Sequence, residues 1–534
     1  MLPRRIRTAP LPDNGRMSSI PILADRRHFW CFVAGCAAVT AGVLLHVPMY
    51  LMGRGNGFHL ADMAMDAGMW WGMALIVAGT VVAGYGLLPR ESAAHARTRE
   101  LVITAPEDAR LGPAHWRLMA VLTIALVIDV MKPASLGFVV PGMRIEYGVS
   151  KMVVAWLPFA ALCGTVVGSV AWGLLADLYG RRASILLSAV MFVGTSICGA
   201  MPSFWWNVGM CFMMGAAAGG MLPVTYALLA EVMPSRHRGW VLVLVGGLGA
   251  VGGYLAASGF SAWLEPILSW RILWFLNLPT GLVLVLLNRA IPESPKFLMR
   301  IGHEHEARRT LARFGCVASE QDVAPGPAPA SPASPIVAHL AATTWALSTV
   351  AVAWGLVNFG LLLWMPAALV AKGYPMGASS ALLAASALLA LPTVFVGAWA
   401  YSRWSTKGAL LVAVAMTAAG LLGMIQLELA SGARINPVWS LALLIIGANG
   451  IIAMLLPYAA ENYPLRIRGR AVGWIAACTK GGGLVAQLLG LLGLAPSGMD
   501  GAALVLVPIV VSLAWIARSC PETRGRDLRL LDAR

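Results

Sequence analysis

Glu231-Val-Met-Pro234-Ser-Arg-His-Arg238-Gly239 returns as Glu461-Asn-Tyr-Pro464-Leu-Arg-Ile-Arg468-Gly469, 230 residues further along the chain. The register holds on both sides of it. Gly252-Gly253 returns as Gly482-Gly483, and Pro292-Glu293-Ser294-Pro295 returns at nearly the same offset as Pro521-Glu522-Thr523. Three matches in one register mark an internal duplication, so the chain builds one structure twice.

What the repeated unit is follows from solvent. Of 534 residues, 59% are hydrophobic and 12% charged, and the mean hydropathy is +0.75, outside the usage of a soluble globular protein. A helix crosses the hydrocarbon core with roughly 20 apolar residues, and about fourteen stretches of that length stand between charged or proline-rich breaks. They are continuous rather than alternating, which favours helices over a barrel, the only two ways to satisfy the backbone in lipid. The expected fold is an all-α polytopic membrane protein. Six spans per repeat, an even number, give both copies one orientation and relate them by an axis along the membrane normal.

The expected organisation is a basic tail (1–28), two extra spans and a linker (29–110), a first six-helix bundle (111–290), an interdomain linker (291–342), a second bundle (343–518) and a tail (519–534). The linker carries Pro-Gly-Pro-Ala-Pro-Ala-Ser-Pro-Ala-Ser-Pro (325–335), a composition that cannot bury a core. The first apolar stretch follows Arg4, Arg5, Arg7, Arg26 and Arg27, but it is too long for a signal peptide and reads as a retained helix.

A formal charge of +15 does not indicate nucleic acid here, because the cations concentrate in alternate loops, on the side shared by both termini. That is the positive-inside pattern, and it predicts an inner-membrane protein with cytoplasmic termini. The eight cysteines are scattered without metal or disulfide spacing. No Walker loop, zinc cluster or Ser/His/Asp grouping points to an enzyme or sensor, and no cofactor or metal is expected. Gly247-x-Gly249-x-x-Gly252 has the dinucleotide spacing but lies inside an apolar run rather than after a strand.

Gly173-Leu-Leu-Ala-Asp177-Leu-Tyr-Gly180-Arg181-Arg182, after the second core span, is similar to the signature loop of the major facilitator superfamily. Asp177 can pair with an arginine or a helix N-terminus, and Arg181 and Arg182 can hold the surface as a latch or serve only as positive anchors. The second-half counterpart, Gly397 to Lys407, lacks the acid and the second glycine. The paired Glu-x-x-Pro-x-x-x-Arg-Gly motifs, Pro-Glu-Ser-Pro-Lys-Phe (292–297) and Pro-Glu-Thr-Arg-Gly (521–525) resemble the sugar-porter and metabolite:proton symporter branch, over roughly residues 116–528. That resemblance implies two rocking bundles and casts Glu231, Arg238, Glu461 and Arg468, with Asp177, Arg181 and Arg182, as cytoplasmic gating residues.

Substrate chemistry belongs to ionisable groups inside spans, where a charge costs about 2.5–3.5 kcal/mol on insertion scales. Asp129-Val-Met-Lys132-Pro133 puts an acid and a base one turn apart on the first core span. They form either a structural ion pair or a proton-coupling carboxylate, Asp129, beside a substrate-binding cation, Lys132. Lys480, in Cys478-Thr-Lys480-Gly-Gly-Gly, stands where the first repeat has Ala250. It is similar to the cation on the eleventh helix of organic-acid symporters, unless it snorkels to the interface. Tyr226, Trp354, Asn358, Asn449 and Gln487 complete the candidate lining.

Two lysines at depth predict a small anionic substrate carried with protons by a monomer surrounded by lipid, that is, a proton-coupled symporter. Efflux of drugs or metabolites and sugar transport are the alternatives. The glycine-rich fifth span resembles that of drug:proton antiporters but has Ala250 in place of the proline, and it lacks the amides of sugar porters.

Overall fold

The computed structural model describes residues 26–88, 101–104, 111–287, 290–315, 317–320, 335–429, 437–463, 465–494 and 498–524. The tail before residue 26, Cys316, most of the proline-rich linker, Pro464 and the tail after residue 524 lie outside them. Thirteen helices among the described residues are long and apolar enough to cross a membrane, and the shorter apolar Ile272–Leu287 is a fourteenth candidate.

In chain order they are α1 (Arg26–Asn56), α2 (Ala67–Leu87), α3 (Pro113–Glu146), α4 (Lys151–Tyr179), α5 (Arg181–Ala200), α6 (Phe204–Val232), α7 (Arg236–Leu268), α8 (Ile272–Leu287), α9 (Leu340–Ala371), α10 (Met376–Arg403), α11 (Thr406–Leu429), α12 (Val438–Asn462), α13 (Ile467–Leu491) and α14 (Asp500–Ser519). Helices α3–α8 form the first bundle and α9–α14 the second, with α1 and α2 as an added hairpin. Local chemistry sets the breaks. Asp66 accepts from the Met69 N–H at 2.7 Å to start α2, and Ser150 accepts from Val153 at 3.2 Å to start α4. Inside α9, Leu356–Leu362 is a turn of π-helix.

Two short helices, Pro295–Arg300 and Glu304–Arg313, follow the first bundle. Strands β1 (Leu101–Thr104) and β2 (Val317–Glu320) pair antiparallel, with Leu101 opposite Glu320, and join the two linkers outside the helical body. This pairing was not anticipated from the sequence, because both segments are only four residues long.

With no hydrophobic drive between helices in lipid, close approach requires small residues. The glycine run of α7 serves that purpose. A methyl group on Gly249 would stand 2.6 Å from Leu126 Cβ, one on Gly253 2.6 Å from Val130 Cβ, and one on Gly247 2.6 Å from Val394 of α10. The run that has dinucleotide spacing in sequence is therefore a packing seam for α3 and for the second bundle.

The bundles meet along α7 and α10 and at one end of α4 and α13. There, a methyl on Gly483 would lie 3.1 Å from Leu162, and one on Gly490 3.4 Å from Ala155. At the other end, which bears Asp177 and both Glu-x-x-Pro motifs and is here called the basic face, a methyl on Gly173, Gly469 or Gly473 would meet nothing within 4 Å.

Candidate functional site

Asp129 and Lys132 are both buried on α3, 6% and 1% exposed, yet they do not bond each other. The lysine turns away. Its Nζ lies 3.1 Å from the centroid of the Phe192 ring on α5. Among the described residues, neither this Nζ nor Asp129 Oδ1 has a hydrogen-bond partner. Pro133 adds a further polar group, because it has no N–H to give to the carbonyl four residues back, which is that of Asp129.

Across the boundary between bundles, Lys480 on α13 presents its Nζ 5.2 Å from the centroid of the Phe359 ring. Asp129 feels the charge of both Lys132 and Lys480. Each half therefore contributes one lysine over one phenyl ring, and the Asp129 carboxylate is coupled to both lysines. Phe359 sits in the π-helical turn of α9 and its carbonyl accepts from Gln487 Nε2 at 2.5 Å.

Two of the three glycines after Lys480 serve helix packing. A methyl on Gly482 would meet the Val352 carbonyl, and one on Gly483 the Phe359 ring at 2.6 Å, so both admit α9. Of the three, Gly481 alone faces open space within 4 Å.

The candidate lining residues are held by their own bundle. The amide oxygen of Gln487 accepts from Trp364 Nε1 at 3.2 Å, Trp354 Nε1 donates to the Ala448 carbonyl at 2.7 Å, and Asn449 Nδ2 donates to the Ile445 carbonyl at 2.9 Å. Tyr226 packs its hydroxyl end on Gly246, between the two bundle cores. Asn358 lies in the π-helical turn, and its carbonyl accepts from Leu363 at 3.1 Å. Phe192 and Phe359 escaped the sequence reading, since a phenylalanine in an apolar helix carries no signal of its own.

On the basic face, the candidate latch forms within the first bundle. Arg181 bonds Asp177 at 3.1 Å and approaches Glu231 at 3.7 Å, and the Ser294 hydroxyl donates to Glu231. Glu293, from the Pro-Glu-Ser-Pro segment, caps α5: its Oε1 accepts from the N–H groups of Arg181 at 2.7 Å, Arg182 at 3.3 Å and Ser294 at 2.9 Å. Burial pushes the Glu293 carboxyl up to about 7, against the pull of these bonds and of Arg182.

In the second bundle Thr523 donates to Glu461 at 2.6 Å and Arg468 Nε donates to the Tyr463 carbonyl at 3.1 Å, and in the first Arg238 Nη2 reaches the Met233 carbonyl at 3.5 Å. A methyl on Gly239 would lie 3.2 Å from Glu461, which brings the start of α7 against the second bundle.

Gly180, between α4 and α5, has φ 101° and ψ 159°, a region open to glycine alone, and an added methyl would stand 2.5 Å from Glu293 Oε2. Gly180→Ala is expected to cost about 1–3 kcal/mol, read as a lowered melting temperature in detergent micelles. Gly173→Ala, which meets no atom within 4 Å, is the control and should not lower it. Equal melting temperatures for the two variants would refute this account.

The sequence model of the Major Facilitator Superfamily matches residues 122–487. The chain belongs to that superfamily. It is a multi-pass membrane transporter, not an enzyme. It is 25% identical to the niacin transporter NiaP of Acinetobacter baylyi over 402 residues, covering 73% of this chain and 89% of that protein. To the 4-hydroxybenzoate transporter PcaK of the same organism it is 26% identical over 412 residues, covering 72% and 86%. Among solved structures, the xylose transporter XylE from E. coli, in a partially occluded inward-open conformation, superposes with a TM-score of 0.61. It is 14% identical and covers 78% of this chain and 100% of that one, which shows the major facilitator fold.

Proposed function

We propose that this major facilitator carries a small aromatic monocarboxylate together with protons, by alternating access, in an inner membrane with both termini cytoplasmic. The observation that carries the reading is the charge count at the bundle boundary. With all three groups ionised, Asp129, Lys132 and Lys480 leave one positive charge uncompensated in a low-dielectric interior, which is costly. One carboxylate balances it.

Lys480 is the cation that first takes the carboxylate, and Lys132 joins it once Asp129 is protonated. The Phe192 and Phe359 rings, which now hold the ammonium groups, offer flat apolar faces to an aromatic ring once the lysines turn to the anion. Niacin and 4-hydroxybenzoate, named for the two relatives, each carry one carboxylate on an aromatic ring. A proton on Asp129 frees a second positive charge for the bound anion, and its release afterwards lets the carboxylate again offset the charge of Lys132. Proton and anion thus favour each other's binding.

The contact of α4 with α13 at the end opposite the basic face supports reading this conformer as closed away from the cytoplasm. Asp177, Arg181, Arg182, Glu231, Arg238, Glu461 and Arg468 act there as gating residues, in two clusters that separate as the bundles rock.

The test is uptake of nicotinate, benzoate and xylose into proteoliposomes, with and without an inward proton gradient. Gradient-driven accumulation of an aromatic acid is expected. Asp129→Asn should abolish accumulation while retaining exchange of internal for external acid, because exchange needs no net proton release. Uptake of xylose alone, or normal accumulation by the Asp129→Asn variant, would overturn the assignment.

A further inference from the structure

We infer that the N-terminal hairpin is a fixed brace of the first bundle, so that α1–α8 move as one eight-helix body against α9–α14. The inference rests on the rocking motion proposed above and gives a role to the helices outside the superfamily match.

Three observations point the same way. The hairpin is internally tight, with glycines spaced by seven along both helices: Gly35 and Gly42 on α1, and Gly72, Gly79 and Gly86 on α2. A methyl on Gly35 would stand 2.6 Å from the Gly79 carbonyl, and one on Gly86 2.6 Å from the Phe32 N–H. Such a seam lets the two backbones meet and leaves little freedom to slide.

The hairpin also shares a core with the first bundle. Val39 and Val43 of α1 and Met69 and Ala83 of α2 belong to one buried cluster with Val190, Val193 and Ile197 of α5. This cover explains why α5 is the most buried of the spans.

The connecting loop, finally, is locked to a buried ion pair. Arg271, at the start of α8 and fully buried, bonds Glu146, at the end of α3, at 2.5 Å. The pair reads the loop backbone with both charges. Glu146 Oε1 accepts from the N–H groups of Leu60 at 2.7 Å and Ala61 at 3.2 Å, and Arg271 Nε donates to the Phe58 carbonyl at 3.2 Å.

Tyr50 donates to the Leu268 carbonyl at 2.7 Å, and the Asp62 N–H donates to that of Pro202 at 3.2 Å. Phe58 and Asp62, on either side of the gripped segment, hold φ of 63° and 62°, a conformation that non-glycine residues keep only when their surroundings impose it. Among the described residues, every hydrogen bond that residues 50–62 make to the core goes to the first bundle. The loop therefore ties together the ends of α3, α5 and α7 and the starts of α6 and α8.

A disulfide tests whether this body is rigid. In a chain whose eight native cysteines are replaced, Ile76→Cys on α2 is combined with Gly194→Cys on α5, where a methyl on Gly194 would stand 2.9 Å from Ile76. Val39→Cys with Gly194→Cys, at 3.9 Å, is the second pair should the first fail to fold.

Cross-linking is expected to proceed at one rate with or without nicotinate and a proton gradient, and the oxidised protein should transport within about twofold of its reduced form. Uptake lost on oxidation and restored by reduction, or cross-linking that changes with substrate, would overturn the brace. Ser261→Cys with Ser380→Cys, whose hydroxyls meet at 2.9 Å between α7 and α10, spans the two bundles and should stop transport when oxidised. Uptake that survives this cross-link defeats the rocking reading, whereas the first pair alone decides whether the hairpin moves on its bundle.

Discussion

Lys480→Ala is expected to cut uptake of an aromatic acid by about 10- to 150-fold at low substrate concentration, the loss of one charge-assisted contact of about 1.5–3 kcal/mol. The effect should appear as weaker apparent affinity, because the ammonium is assigned to binding the carboxylate rather than to moving the proton. Lys480→Arg should recover part of it, since a guanidinium keeps the charge and can still lie against the Phe359 ring, now 5.2 Å from the lysine Nζ. The neutral analogue nicotinamide gives a second readout: if Lys480 serves the carboxylate, its binding should change little in the alanine variant. Equal loss for nicotinate and nicotinamide would make Lys480 a structural residue, and unchanged nicotinate uptake would remove it from the site.

Arg271→Met is expected to be the most destabilising single change, by about 3–5 kcal/mol, because it strands Glu146 in a buried site. Arg271 is fully buried and spends its guanidinium on Glu146, the Tyr147 hydroxyl at 3.1 Å, and the carbonyls of Phe58, Gly199 and Met201. Adding Glu146→Gln removes the orphaned charge but keeps an oxygen for the Leu60 and Ala61 N–H groups, so the double variant should be more stable than Arg271→Met alone. Melting temperatures in detergent micelles decide it, with the two single variants and the double forming one cycle. Additive losses would mean that the two side chains are not coupled.

Some of the site was legible from one dimension. Lipid as solvent makes a charge in a span conspicuous wherever it stands, so Asp129, Lys132 and Lys480 could be picked out from hydropathy alone. The arrangement of those charges could not. The spacing of three residues predicts that Asp129 and Lys132 face the same way, but a ring on another helix, Phe192, takes the ammonium. The amides and indoles looked like equal candidates in sequence. Carbonyls far away in the chain hold Trp354 and Gln487. Glu293 was visible only as part of a motif, and its capping of α5 depends on a chain reversal that brings residues 181 and 293 together.

By itself the sequence determined the number of spans, their helical state, the duplication and the inventory of charges at depth, because each depends on the transfer of a local segment from water to lipid. Only the tertiary structure decided which helix faces which. That choice set the partners of the lysines, turned the glycine runs of α7 and α13 into packing seams, and locked the hairpin to an ion pair between residues 125 positions apart. Contacts of that range come from shape matching among apolar surfaces of nearly equal hydrophobicity, and a hydropathy pattern does not distinguish one such surface from another.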